Sequence, residues 1–338
     1  MAEILTHVVC WDYKFRKTSW RGKVTFQHPE LDIERRLEQV GAAAREGQEA
    51  LQGWVAKLEK PPSDAAIVNP DKPLVVFVAP EFLFTRVRIA DRLSPIDHQY
   101  YHRADRTRYE SFCRQLSGPH DGQHTLTVVG SMLWVEGRTD RVKAELRQRS
   151  RDYVFDKMTS MRPIPQAARA GLTQWADVLR DVDSDTRTHL AFNEAFLCFD
   201  GKTEKSIKKS EYGVDFTAHM DEMTLVAGIG AGTKTVQVGG KSLKVGVGIC
   251  IDSSRVKAYN GDVDLYILVS QTIDAGSIPA GTVRTGGLAI QADGSVRSRI
   301  LQGTGGGMAT ASPTKSLALE THNEGAYAFA RALITVPD

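Results

Sequence analysis

The sequence predicts an α/β protein, a single domain built around mixed β-sheet. Three observations lead there. Segments with a period-two apolar pattern alternate along the chain with segments of helical periodicity. Two turn signals, Asp200-Gly201 and Gly239-Gly240, sit between apolar runs and predict hairpins, which bring antiparallel strands into the sheet. No repeat and no linker divides the 338 residues. Interleaving of this kind favours one α/β unit, spanning residues 1–338, over separate helical and β parts.

The elements follow in order. "THVVCWDY" (6–13) reads as a first strand, and residues 32–58 carry apolar side chains at helical spacing, the mark of a long amphipathic helix. "PPSDAAIVNPDK" is a proline-rich turn region. "PLVVFVAPEFLF" (73–84) begins as an unbroken apolar run, expected of a strand buried on both faces. Pro80 ends it, because proline has no N–H for a ladder, and Glu81 therefore stands where the strand stops. Residues 107–116 read as a second helix and 124–134 as another strand. "AFNEAFLCFDGKTEKSIKKSEYG" (191–213) is a hairpin whose return strand runs toward Lys208 and Lys209. "TKTVQVGGKSLKVGVGICID" is a second hairpin. Residues 262–271 form a further buried strand, 286–302 alternate around Asp293-Gly294, and 326–336 close the chain as a strand.

Composition excludes some classes of function. A net charge of +2 gives no reason to expect nucleic acid or an acidic membrane as partner. No stretch resembles a transmembrane span. The opening "MAEILTHVVCWDYKF" lacks a basic n-region and a long apolar h-region, so no signal peptide is expected. The four cysteines, 10, 113, 198 and 250, show no CxxC and no zinc-site spacing, which predicts reduced thiols in a cytoplasmic protein. His98, His102, His120 and His124 cluster only loosely, without the fixed spacing of a metal site. The glycine-rich stretch 302–316 matches neither a P-loop nor GxGxxG, and reads as a mobile surface loop.

In "VGVGICIDSS" (245–254), Val245, Val247, Ile249 and Ile251 alternate with Gly246, Gly248, Cys250 and Asp252. Two glycines on one strand face suggest that something must come close there, a substrate included. Strand ends thus carry, in chain order, Glu81, Lys209 and Cys250. Singly each has an ordinary explanation: a surface carboxylate, a solvated strand end, a small buried hydrophobe. Together they make chemical sense. An ammonium favours the nucleophilic thiolate, a carboxylate can take the thiol proton and later activate water, and the lysine can donate to an oxyanion.

The order of these motifs resembles the nitrilase, or carbon-nitrogen hydrolase, superfamily. The resemblance is carried by "APEFLF", by "FNEAFLCFDGKTEKSIKK" with Asn193, and by "VGVGICID", with "VVGSMLW" and "DVDLYILVS" as core strands. It implies a four-layer αββα sandwich, paired into homodimers or higher homo-oligomers. It implies Glu81 as general base, Lys209 as oxyanion stabiliser and Cys250 as nucleophile, with no metal or organic cofactor. Lys209 matches the family spacing better than the adjacent Lys208. Glu222, in "DEMTLVAG", falls where the family often has a second glutamate; a surface acid is the equal alternative. Beyond the cysteine the chain departs from the family pattern, with Ile251, Asp252, Ser253, Ser254 and Arg255, and Glu211 stands where a histidine is frequent. Ile-Asp in place of Trp-Glu tilts the expected substrate from nitriles toward small amides.

The resemblance leads to an amide hydrolase in which Lys209 and the N–H of Ile251 hold the oxyanion. A transferase that passes the acyl group to an amine or lipid, a nitrile hydrolase and a non-catalytic small-molecule binder are the rivals. Residues 137–190 stand as an insertion between two strands that the family joins by a short hairpin. Within it, "PQAARAGLTQWADVLRDV" (165–182) places Leu172, Trp175, Ala176, Leu179 and Val182 on one helical face. That face has to bury itself, as a substrate lid carrying Trp175 or as packing and dimer contact.

Overall fold

The structure is a computed structural model. It describes residues 1–12, 32–58, 66–81, 83–84, 96, 100–118, 120, 122–144, 147–148, 187–209, 221–226, 228, 232–250, 263–270, 278, 282–294, 298–304, 314–317, 319–322 and 326–337. The described elements are β1 (Ala2–Trp11), α1 (Ile33–Val55), β2 (Leu74–Ala79), β3 (Tyr101–His102), α2 (Arg103–Leu116), β4 (His124–Val129), β5 (Met132–Gly137), β6 (His189–Phe199), β7 (Lys202–Lys208) and β8 (Met223–Leu225). They continue with β9 (Thr233–Val238), β10 (Lys241–Ile249), β11 (Val263–Ser270), β12 (Val283–Asp293), β13 (Arg299–Gly303), β14 (Thr314–Ser316), β15 (Glu320–His322) and β16 (Tyr327–Val336).

The strands form two mixed sheets. In the first, β15, β16, β1, β2, β4 and β6 lie side by side. The steps from β1 to β2 and from β2 to β4 are parallel, whereas β1 and β16 run antiparallel over ten residue pairs, Ala2↔Val336 to Trp11↔Tyr327. β6 is long enough to take two partners in succession on each edge. β4 and then β5 follow one edge, and β7 and β8 the other. In the second sheet β10, β11 and β12 are parallel, with β9, β13 and β14 added antiparallel.

Side-chain alternation sorts the core into layers. Val8, Val76, Val128 and Leu197 of the first sheet meet Val245, Val247, Ile267 and Ile290 of the second, so the sheets pack face to face through an apolar interior. The other face of the first sheet is covered by α1 and α2, whose Val40, Leu51, Trp54 and Tyr109 pack on Phe77, Phe196 and Phe329. The outer face of the second sheet is also buried, with Tyr266, Leu268 and Ala289 packed against Ile278. The architecture is therefore mixed α/β, with a helical layer and two facing sheets. A second helical layer, which the αββα expectation places over that outer face, is not among the described residues.

Local chemistry accounts for the boundaries. Asp32 caps α1 by accepting the Arg35 N–H at 2.9 Å. Asp200 and Gly201, both at positive φ, turn the β6–β7 hairpin, and Gly239 and Gly240 do the same between β9 and β10. His124 Nδ1 lies 2.7 Å from Asp200 Oδ2, tying β4 to the first of these turns. The run 124–134, read as one strand, is two: Gly130 takes φ +65° between β4 and β5. A Cβ at that position would collide with the Pro80 carbonyl. The glycine thus serves the close approach of the segment that carries Glu81.

β5 and β6 flank the segment expected to be an insertion, and residues 140–144 and 147–148 within it are helical. Residues 149–186, with Trp175 and the stripe 165–182, lie outside the described residues, as does the centre of the glycine-rich stretch, 305–313. No described helix is long and apolar enough to cross a membrane.

Candidate active site

Glu81, Lys209 and Cys250 all follow directly on strands that end at one side of the molecule. β2 stops at Ala79, and Pro80 hands over to Glu81. β7 stops at Lys208, and β10 at Ile249. Ile249 pairs with Val269 in the parallel ladder, so Cys250 stands beside Ser270, one position further on. The Ser270 carbonyl accepts the Glu81 N–H at 3.4 Å. That bond crosses from the second sheet to the first and sets Glu81 next to the strand end that carries the cysteine. This is the carboxyl side of the parallel strands, where open α/β sheets place their ligands.

Glu81 and Lys209 form a buried ion pair. Lys209 Nζ donates to Glu81 Oε1 at 2.8 Å, and the two residues are 1% and 0% exposed. Asn193, also buried, donates from Nδ2 to the same oxygen at 3.1 Å. The main chain reinforces the group. The Lys209 N–H donates to the Asn193 carbonyl at 2.8 Å, and the Gly228 N–H donates to the Lys209 carbonyl at 2.8 Å.

Strand alternation decides between the adjacent lysines. Ile207 packs into the space between the sheets, so Lys209, two residues on, turns to the same side. Lys208 turns to the other side, where its ammonium lies 4.5 Å from the centre of the Phe192 ring. The lysine against Glu81 is therefore Lys209.

Cys250 has φ +51°, a left-handed conformation that few non-glycine residues adopt. Such backbone strain is concentrated at functional sites and leads from the observation to a hypothesis of function. Cys250 is half-buried and packs partly against the inter-sheet core. The other three cysteines are buried, and all four are free. Burial pushes the thiols of Cys10 and Cys113 far up and that of Cys198 up to about 12. None of these three is a competing nucleophile near neutral pH.

The glycine face of β10 has a different cause from the one expected. A Cβ at Gly248 would run into the Tyr266 hydroxyl. Tyr266 is a buried residue of β11 that pairs with Gly246, so the close approach at Gly248 is made by the protein's own side chain. Glu222 stands exposed at the surface, where its carbonyl accepts the N–H groups of Thr188 and His189 and its charge helps to raise the buried Tyr100 hydroxyl, after burial itself. Ile251, with the N–H expected to help hold an oxyanion, lies outside the described residues.

Asn193 received no role from its residue type, although it is an amide on a largely apolar strand. Ser270 was missed altogether. Its hydroxyl donates to Asp293 Oδ2 at 2.7 Å and accepts from Gln291 Nε2 at 3.2 Å, and all three residues are buried. This polar cluster anchors the strand end beside Cys250.

No protein-family model matches the sequence, and no curated protein does. Solved structures do. An amidase of the nitrilase superfamily from Nesterenkonia AN1 matches over 98% of this chain and 91% of its own, at 13% identity and a TM-score of 0.41. A carbon-nitrogen hydrolase from Helicobacter pylori G27 matches over 97% and 89%, at 11% identity and 0.39. A glutamine-dependent NAD(+) synthetase from Cytophaga hutchinsonii matches over 98% of this chain and 43% of its own, at 10% identity and 0.43.

Proposed function

We propose that the protein is a thiol enzyme that cleaves non-peptide carbon-nitrogen bonds, small amides first among them. The observation that carries this reading is the buried Lys209–Glu81 pair at the strand ends, with Asn193 on the same carboxylate oxygen and Cys250 following the strand pair beside Ser270, whose carbonyl holds the Glu81 main chain. A cation and an acid taken out of water together are costly to bury, and a site for acid–base chemistry gives them a purpose beyond stability.

In this reading the Cys250 thiol passes its proton to Glu81 while sulfur bonds to the amide carbon, and the carbonyl electrons move to oxygen, where the Lys209 ammonium stabilises them. The oxyanion collapses, the carbon–nitrogen bond breaks, and Glu81 returns the proton to the leaving amine. Water then enters. Glu81 takes one of its protons, hydroxide adds to the thioester carbon, and collapse releases the acid as the proton goes back to sulfur. The sum is amide plus water to acid plus amine.

The test is a panel of short aliphatic amides and nitriles, read by ammonia release and by the intact mass of the protein. Ammonia from amides, with an acyl adduct on Cys250 that is absent in Cys250→Ala, is the expected result. No ammonia and no adduct across the panel would remove the catalytic reading.

A further inference from the structure

We infer that Asn193 is a positioning residue for Glu81. The kinetic readouts of this inference rest on the acid–base role proposed above. A carboxylate oxygen offers two in-plane lone-pair sites. At Glu81 Oε1 both are addressed, by Lys209 Nζ at 2.8 Å and by Asn193 Nδ2 at 3.1 Å. A proton arriving at Oε1 would meet two N–H donors, both buried, and could settle there only if one of them turned away.

The two donors are not equivalent. Lysine carries three donors on a rotating ammonium at the end of a flexible stem, so it fixes a distance but not the plane of the carboxylate. The asparagine amide is planar and short, and it comes from the middle of β6, a rigid element. Asn193 also accepts the Lys209 main-chain N–H at 2.8 Å. One residue thus holds the cation through its backbone and the acid through its side chain. A donor to the ionised carboxylate also favours that form, so Asn193 helps to set the pH at which Glu81 is a base.

Asn193→Leu removes the donor at nearly constant volume, and the main-chain bond to Lys209 remains. The expected result is a fall in kcat of about tenfold with the KM of a short amide within about twofold. The acidic limb of kcat/KM should move up by about one pH unit. Asn193→Asp sets a second carboxylate against Glu81 and should move the limb further in the same direction; being isosteric and polar, it carries the test if Asn193→Leu does not fold. A readout independent of turnover is the titration of Glu81 by carbon NMR in protein with carboxyl-labelled glutamate, its resonance assigned by loss in Glu81→Gln. Its midpoint should rise by about one unit in Asn193→Leu. An unchanged midpoint, or a raised KM with kcat intact, overturns the positioning role. If the midpoint moves but wild-type protein turns over no amide, the catalytic reading fails while the positioning of Glu81 stands.

Discussion

Two buried glutamates flank the same stretch of β6 and β7 from opposite faces, and their surroundings differ. Glu194 receives two donors on each oxygen. Arg106 Nη2 at 3.0 Å and the Ser206 hydroxyl go to Oε1, and Arg106 Nε at 3.0 Å and Trp134 Nε1 at 2.9 Å go to Oε2. Arg106 is itself stacked 4.7 Å from the centre of the Phe196 ring and paired with Glu110 at 2.5 Å. Glu81 has Lys209 and Asn193 together on Oε1. Burial and a cationic partner are common to both acids, so neither feature by itself marks a site of chemistry. Position separates them: Glu194 lies within β6 as a cross-link among α2, β5, β6 and β7, whereas Glu81 stands just past the end of β2, its N–H on the Ser270 carbonyl beside the strand end that carries Cys250.

The comparison breaks if the two acids respond alike to substitution. Glu81→Gln keeps the shape and an acceptor for both donors but removes the base. Turnover of an amide should fall by about 10²-fold or more, and the buried Lys209 ammonium, left without its anion, should cost about 3–5 kcal/mol in stability by urea unfolding. Cys250→Ala should abolish turnover altogether while the fold persists, as circular dichroism would record. The lysines divide in the same way. Lys209→Met leaves a buried carboxylate without its cation, and should cost about 10²-fold in rate and about 3–5 kcal/mol in stability by urea unfolding. Lys208→Met loses the contact with Phe192, about 0.5–1 kcal/mol, and should leave turnover within about twofold.

Labelling sharpens the contrast without substrate. Limiting iodoacetamide at neutral pH should alkylate Cys250 at least about tenfold faster than Cys10, Cys113 or Cys198, whose thiols burial pushes up. Peptide mapping that finds another cysteine labelled first would count against the nucleophile. Glu194→Gln should leave kcat unchanged and lower stability by about 2 kcal/mol. Its pH dependence has a definite sign. Burial raises the Glu194 carboxyl, but the hydrogen bonds and charge of Arg106, the charge of Lys208 and the Ser206 hydroxyl outweigh it, so the folded value lies below the ordinary 4.5. The unfolded chain then binds the proton first. The stability Glu194 supplies is present above about pH 4.5 and is lost as pH falls through the lowered folded value. Urea midpoints at about pH 7 and about pH 3.5 should therefore converge between wild type and Glu194→Gln on the acid side. The smallest effect is at the surface: Glu222→Gln should keep kcat within about twofold, and a fall of about tenfold would give Glu222 the second-acid role.

Much of this was legible where the determinant is local. The Asp200-Gly201 and Gly239-Gly240 turns announce the positive φ their hairpins need, and Pro80 announces the end of β2. Even the choice of Lys209 over Lys208 follows from period two once Ile207 is taken as inward. The rest depends on approaches that no local pattern encodes. Gly130 is demanded by the Pro80 carbonyl, and Gly248 by Tyr266 from the next strand. Asn193 and Glu194 are neighbours of similar polarity, and only the assignment of faces sends one to Glu81 and the other to Arg106. Which strands share a sheet was not legible either, because β1 takes its two partners from opposite ends of the chain.

That last pairing has a consequence for how the protein is made. β1 leaves the ribosome long before its partner β16, with Ala2 opposite Val336. At about 5–20 residues per second, roughly 15–70 s of synthesis separate the two. Through that interval β1 carries an unpaired row of backbone donors and acceptors between two apolar faces, the combination that recruits foreign strands. Nascent chains that stop short of residue 327 keep this edge open for good. They should be the species that chaperones hold and that accumulate in inclusion bodies, whereas release of the complete strand closes the edge in one antiparallel step.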